Sequence, residues 1–198
     1  MSDRFPSPPP DAIAAGRWRE RSREETTAFD AKVVTVEAAT LVFEDVALRE
    51  RLANAIGLER VWRFFVASRL TLSPATKPSV ALTGLVANRA FTGFADTLGE
   101  RGFEGVRRTR DADGDGPAVD DDARTAGYDA LCRLDGVSVR AKGWAALRPV
   151  GGSYLLVGGA YPTAVREAPD DGATDAIEAA IDPDRFREEL FALMRATK

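Results

Sequence analysis

The sequence predicts a single α+β domain: a mainly antiparallel sheet of about six strands with three or four helices packed on it. Three observations carry this expectation. The chain has 198 residues and is 44% hydrophobic, which is enough apolar material for one well-filled core. Asp135-Gly136 lies between two runs of alternating polarity, a strong short-range signal for a β-hairpin, and Gly151-Gly152 then leads into a further strand-like run. Upstream, strand-like and helix-like segments alternate without the glycine-rich strand-to-helix turn of a doubly wound sheet.

Taken in order, residues 1–10 carry four prolines and little to bury, and read as an extended, disordered Pro-rich tail preceding a domain over 11–198. A helix is expected from Asp11, with Ile13 and Trp18 on one side. The run RWRERSREE would form its solvated face, because Glu20, Glu24 and Glu25 interleave with the arginines. KVVTVEAATLVFED, rich in β-branched residues, reads as one long strand or two short ones broken near Ala38 and Ala39. Asp45 then caps a helix whose apolar residues, Val46, Leu48, Leu52, Ala55 and Ile56, recur at helical spacing up to a stop at Gly57. VWRFFVASRLTLSP follows as a strand ended by Pro74 and Pro78.

A second long helix is signalled by Ala87, Ala90, Phe91, Phe94, Ala95 and Leu98 and closed by Gly102, and Phe103–Arg110 resumes as a strand. The Asp135-Gly136 hairpin pairs Leu134 with Val137, Cys132 with Val139 and Asp129 with Lys142. That register sets Tyr128, Ala130, Cys132, Val137 and Val139 on an apolar face and Asp129, Arg133, Ser138, Arg140 and Lys142 on the other. SYLLVGGAYP is a third strand of the same meander. A terminal helix begins at Asp182-Pro183 and docks through Phe186, Leu190, Leu193 and Met194, with a shorter helix in ATDAIEAAI before it.

Composition narrows the chemistry. There are 27 basic and 31 acidic residues, a balance of −4 that does not indicate nucleic acid as a partner. Histidine is absent, which removes the usual general acid/base and the commonest metal ligand. Cys132 is the single cysteine and excludes an internal disulfide, a thiolate cluster and a redox pair; it reads as a core residue of a reduced, cytoplasmic protein. Neither a membrane-spanning run nor a signal peptide is legible, so no membrane partner is expected.

Two candidate sites stand out. DADGDGPAVDDD places Asp111, Asp113 and Asp115 at calcium-loop positions 1, 3 and 5, with Gly116 at the turn and Asp122 at position 12. The fit weakens in the second half. Val119 offers no useful side chain, Asp122 is shorter than the usual glutamate, and the approach FEGVRRTR reads as a strand rather than a helix. The loop is therefore read as a solvated acidic connector, with Ca2+ as the alternative. The second candidate is the polar hairpin face, where Arg133, Arg140, Lys142 and Trp144 offer basic groups beside an aromatic, suited to an anion or a stacked base. The carboxylate neighbours Glu44-Asp45 and Asp170-Asp171 need not form an acid/base pair, because strand neighbours face opposite sides.

The pieces ATLVFED, LRERLANAIGLERVWRFFVASRLTLSP and LVGGAYP resemble those of short, uncharacterised haloarchaeal proteins, and the resemblance spans most of the chain past residue 10 without implying an activity. The order of elements is also loosely similar to the α+β sandwich of the photosystem protein PsbP and its relative Mog1, folds used as binding or assembly modules. The expected function is a non-catalytic cytoplasmic binding or assembly domain with a protein or small-molecule partner. The alternatives are an anion or nucleic-acid binder using the basic sheet face, and an enzyme working through carboxylates with or without a metal; no catalytic residue is assigned.

Overall fold

The computed structural model describes residues 4–30, 34–109 and 116–198. They form the expected α+β arrangement around one antiparallel sheet. The strands are β1 (Trp18–Asp30), β2 (Thr35–Asp45), β3 (Phe64–Ser73), β4 (Phe103–Thr109), β5 (Arg124–Leu134), β6 (Val137–Val150) and β7 (Ser153–Glu167). The helices are α1 (Pro10–Ala15), α2 (Val46–Ile56), α3 (Val80–Glu100), α4 (Asp171–Ala180) and α5 (Pro183–Ala196). The sheet has seven strands in the order β1-β2-β3-β7-β6-β5-β4, and every neighbouring pair is antiparallel. Two meanders, β1–β3 and β4–β7, thus meet where β3 pairs with β7, and α3 carries the chain from the centre of the sheet to its far edge.

The seventh strand is a correction to the expected six, and it comes from the charged run read as a helix. Helix α1 ends at Ala15: Gly16 caps it and Arg17 takes a left-handed φ of 53°. Past that break WRERSREETTAFD is extended. As an edge strand it is exposed along most of both faces, and its charges discourage pairing with another sheet. The Pro-rich stretch is also corrected, since residues 5–7 do not trail away. Ser7 and Lys198 exchange backbone hydrogen bonds of 2.6 and 3.1 Å, and Phe5 packs on the core.

Both faces of the sheet are covered. Phe64 and Tyr128 meet Phe94 of α3 on one side, with ring centroids 6.4 and 5.3 Å apart. On the other, Trp144 meets Phe191 of α5 edge-on at 5.6 Å. Helices α2 and α4 join the α5 layer, tied by Arg51 Nη1 donating to the Ala180 carbonyl at 3.2 Å. Burial from two sides explains why β3, β6 and β7 read as apolar on both faces.

The adjacent glycines of β7 let both layers approach. A Cβ on Gly158 would lie 2.6 Å from the Trp144 carbonyl oxygen and 2.9 Å from Phe94 of α3. One on Gly159 would lie 2.8 Å from Leu190 of α5.

Candidate anion-binding groove

The β5–β6 hairpin has the register expected from its sequence: Leu134 faces Val137, Cys132 faces Val139 and Asp129 faces Lys142. Asp135 (φ 44°) and Gly136 (φ 81°) both take the left-handed conformation that a tight two-residue turn demands. The neighbouring strands extend this polar face. β4 sets Arg107 opposite Asp129, and β7 sets Tyr161 opposite Lys142, so Arg107, Asp129 and Lys142 form one cross-strand row.

Three irregularities re-aim side chains around that row. The β4–β5 register shifts between Glu104 and Arg107. In the β6–β7 ladder Ala141 faces Pro162 and Arg140 faces Ala164, which leaves Thr163 as the extra residue of a bulge. The Thr163 hydroxyl donates to the Arg140 carbonyl at 3.2 Å and pins the bulge. Farther along the same ladder Val139 faces Val165 and Ser138 faces Glu167, which leaves Arg166 as the extra residue of a second bulge, lining the same groove as Arg140.

The result is an open groove of about 640 Å³ lined by Arg107, Arg140, Lys142 and Arg166 together with Asp129 and Thr163. All four cations are exposed. Among the described residues none of the four has an ion-pair partner, and one carboxylate, Asp129, faces them in the groove. Like charges gathered on one sheet face repel one another, and an anion bound between them reverses the sign of that interaction.

Of the four residues singled out from the sequence, the structure brings Arg140 and Lys142 together and places the other two elsewhere. Trp144 shares the pleat side of Lys142 but is buried beneath α5 against Phe191. Arg133 lies at the hairpin end, 3.5 Å from Glu104, and does not line the groove. Arg107 and Arg166 were missed because they belong to neighbouring strands. Their membership depends on strand order, and for Arg166 on β7 continuing past Pro162.

Asp111, Asp113 and Asp115 lie outside the described residues. Asp122 is exposed in the turn entering β5, and Asp120 pairs with Arg148 at 3.1 Å. The acidic loop joins two strands, β4 and β5, rather than two helices. Among the described residues no group of three or more Asp, Glu and Cys side chains is gathered as a metal site.

The carboxylate neighbours separate as strand geometry requires. Glu44 pairs with Arg21 at 3.0 Å and Arg49 at 3.3 Å, whereas Asp45 caps α2 and reaches Arg63 at 3.2 Å. Asp170 caps α4 through the Ala173 amide. Cys132 is buried, and that burial pushes its thiol up to about 11 against a smaller opposing effect of Arg60.

Residues 5–198 match the model of the family described as Domain of unknown function (DUF6517), and the chain belongs to that family. No curated protein is similar enough to match. Among solved structures the chain matches an uncharacterised protein of Mycobacterium smegmatis, described as an Rv0999 ortholog. The identity is 16% and the TM-score 0.28, over 77% of this chain and 65% of that one. The match thus spans less than two thirds of that protein's length. Among the described residues no helix is long and apolar enough to cross a membrane.

Proposed function

We propose that this member of the family is a non-catalytic binding domain whose groove between β4 and β7 holds a phosphate-bearing small molecule. The observation that carries the reading is the convergence of Arg107, Arg140, Lys142 and Arg166 on one open cleft with no ion-pair partner among the described residues. Guanidinium groups offer paired N–H donors that match phosphate oxygens, and Lys142 adds a compact point charge. A small ligand is favoured over nucleic acid because, among the described residues, no aromatic side chain lines the groove to stack a base, Trp144 being covered by α5. A buried, unpaired cysteine accords with a reducing cytoplasmic setting.

Calorimetric titration with pyrophosphate at low salt tests this reading. The wild type is expected to bind, and Arg140→Ala and Lys142→Ala are each expected to weaken binding roughly ten- to hundredfold, since a hydrogen bond to a charged group contributes roughly 1.5–3 kcal/mol. Equal affinity in wild type and both variants would reject the groove as the site.

A further inference from the structure

A second cleft, of about 340 Å³, lies on the opposite face of the sheet between α3 and strands β1–β3. Its size falls near the lower end of the roughly 300–1,000 Å³ that small-molecule sites occupy. Strand register builds its floor from three cross-strand rows: Ser22–Val42–Val66, Glu24–Thr40–Ser68 and Thr26–Ala38–Leu70. The central row is polar throughout, while its neighbours become apolar toward the middle of the sheet.

Within the polar row Thr40 Oγ1 and Ser68 Oγ lie 2.8 Å apart in a mutual hydrogen bond. That bond uses one of their two O–H protons. The other has no protein acceptor among the described residues, although Ser68 is only 3% exposed. A hydroxyl pair left in this condition on a cleft floor is equipped to meet a polar group of a ligand.

Helix α3 supplies the wall through Ala90, Gly93 and Phe94, and Arg101, at its C-cap, closes one end. Gly93 is mid-helix, where glycine is disfavoured, and a Cβ there would meet nothing within 4 Å. The space beside it is open.

Arg101 lies over the Phe64 ring, 4.8 Å from its centroid, without an ion-pair partner among the described residues, and its Nε has no acceptor. Burial, followed by the nearby Arg21, destabilises its charge, and the opposing pull of Glu100 and Glu24 does not offset them. An arginine left under-compensated in this way favours an anionic partner.

Phe64 and Ser68 are four residues apart on β3, about 13 Å at ~3.3 Å per residue. Arg101, over the Phe64 ring, and the hydroxyl pair at Ser68 thus lie toward different ends of the cleft floor along β3. We infer that this cleft binds a medium-chain hydroxycarboxylate, with its carboxylate on Arg101, its hydrocarbon body on Val66 and Phe94, and its hydroxyl at Thr40 and Ser68. The inference is independent of the basic groove.

Titration of the full chain with 8-hydroxyoctanoate, octanoate and octane-1,8-diol tests it. The hydroxy acid should bind several-fold more tightly than either of the others, with amide shifts at β2, β3 and α3. Arg101→Gln should bring the hydroxy acid down to the diol, and Thr40→Val should bring it down to octanoate. Gly93→Leu should raise the unfolding midpoint, because it improves the helix, while weakening the hydroxy acid at least tenfold. The inference is overturned if the diol binds as tightly as the hydroxy acid, if no probe saturates at millimolar concentration, if shifts map to the β4–β7 groove, or if a stabilised Gly93→Leu protein binds unchanged.

Discussion

Arg63 joins the sheet to the α2 and α5 layer, and its surroundings show why a cation can be buried there. Its side chain is 1% exposed, and the guanidinium lies between the rings of Trp18 and Phe186, 4.5 Å from each centroid. Nη1 donates to Asp45 at 3.2 Å and Glu189 at 2.7 Å, and Nη2 donates to the Phe186 carbonyl at 3.0 Å. Removing the cation strands a buried carboxylate, so Arg63→Ala should lower unfolding free energy by about 3–5 kcal/mol in urea titrations. Arg63→Lys should recover little, because an ammonium cannot make the same fork of bonds.

Cys132 supplies a second test at this scale. Its thiol is raised to about 11 from an ordinary value of 9.0, so the folded state holds the proton more tightly than the unfolded chain. The associated stability is intact below about pH 9 and is lost as pH rises toward about 11. A thiol reagent at pH 8 should label the native protein slowly and the urea-unfolded protein at once. The core position of Cys132 was legible from hairpin alternation alone, whereas the environment of Arg63 was not, since its partners lie 18, 123 and 126 residues away.

Among the elements, those with a local signal were read correctly and those stabilised by distant contacts were not. The Asp-Gly turn fixed the β5–β6 register, and Asp45 and Asp182 cap the helices that follow them as their sequence signals indicate; Asp170, which the sequence offered only as a carboxylate neighbour of Asp171, also caps its helix through a side-chain oxygen. Asp170→Ala should cost about 1 kcal/mol, measured as a shift in denaturation midpoint. Strand β1 was misread because an edge strand exposed on both faces lacks the period-two alternation that marks a half-buried one. Helix α3 begins at Val80, a full two turns before its expected start, since Ser79 caps it by accepting from the Leu82 amide. The glycines of β7 are a different case, visible in sequence but explicable only by the two layers they admit. Gly158→Ala should destabilise by about 1–3 kcal/mol, because its new Cβ meets a strand carbonyl as well as the Phe94 ring.

At the scale of the molecule, the groove opens where the helices stop. Helix α5 covers the sheet as far as Trp144 and leaves Lys142 and Arg140 open, two and four residues farther along the same pleat. The sequence placed Arg140 and Lys142 on one face but could not reveal Arg107 and Arg166, which reach the groove through strand order and a bulge. The most direct test of the groove is an amide chemical-shift titration of the full chain with pyrophosphate at low salt. Saturable shifts are expected, centred on Arg107, Asp129, Arg140, Lys142, Thr163 and Arg166 and suppressed in Arg140→Ala. Shifts absent at millimolar pyrophosphate, or centred away from these strands, would contradict this expectation.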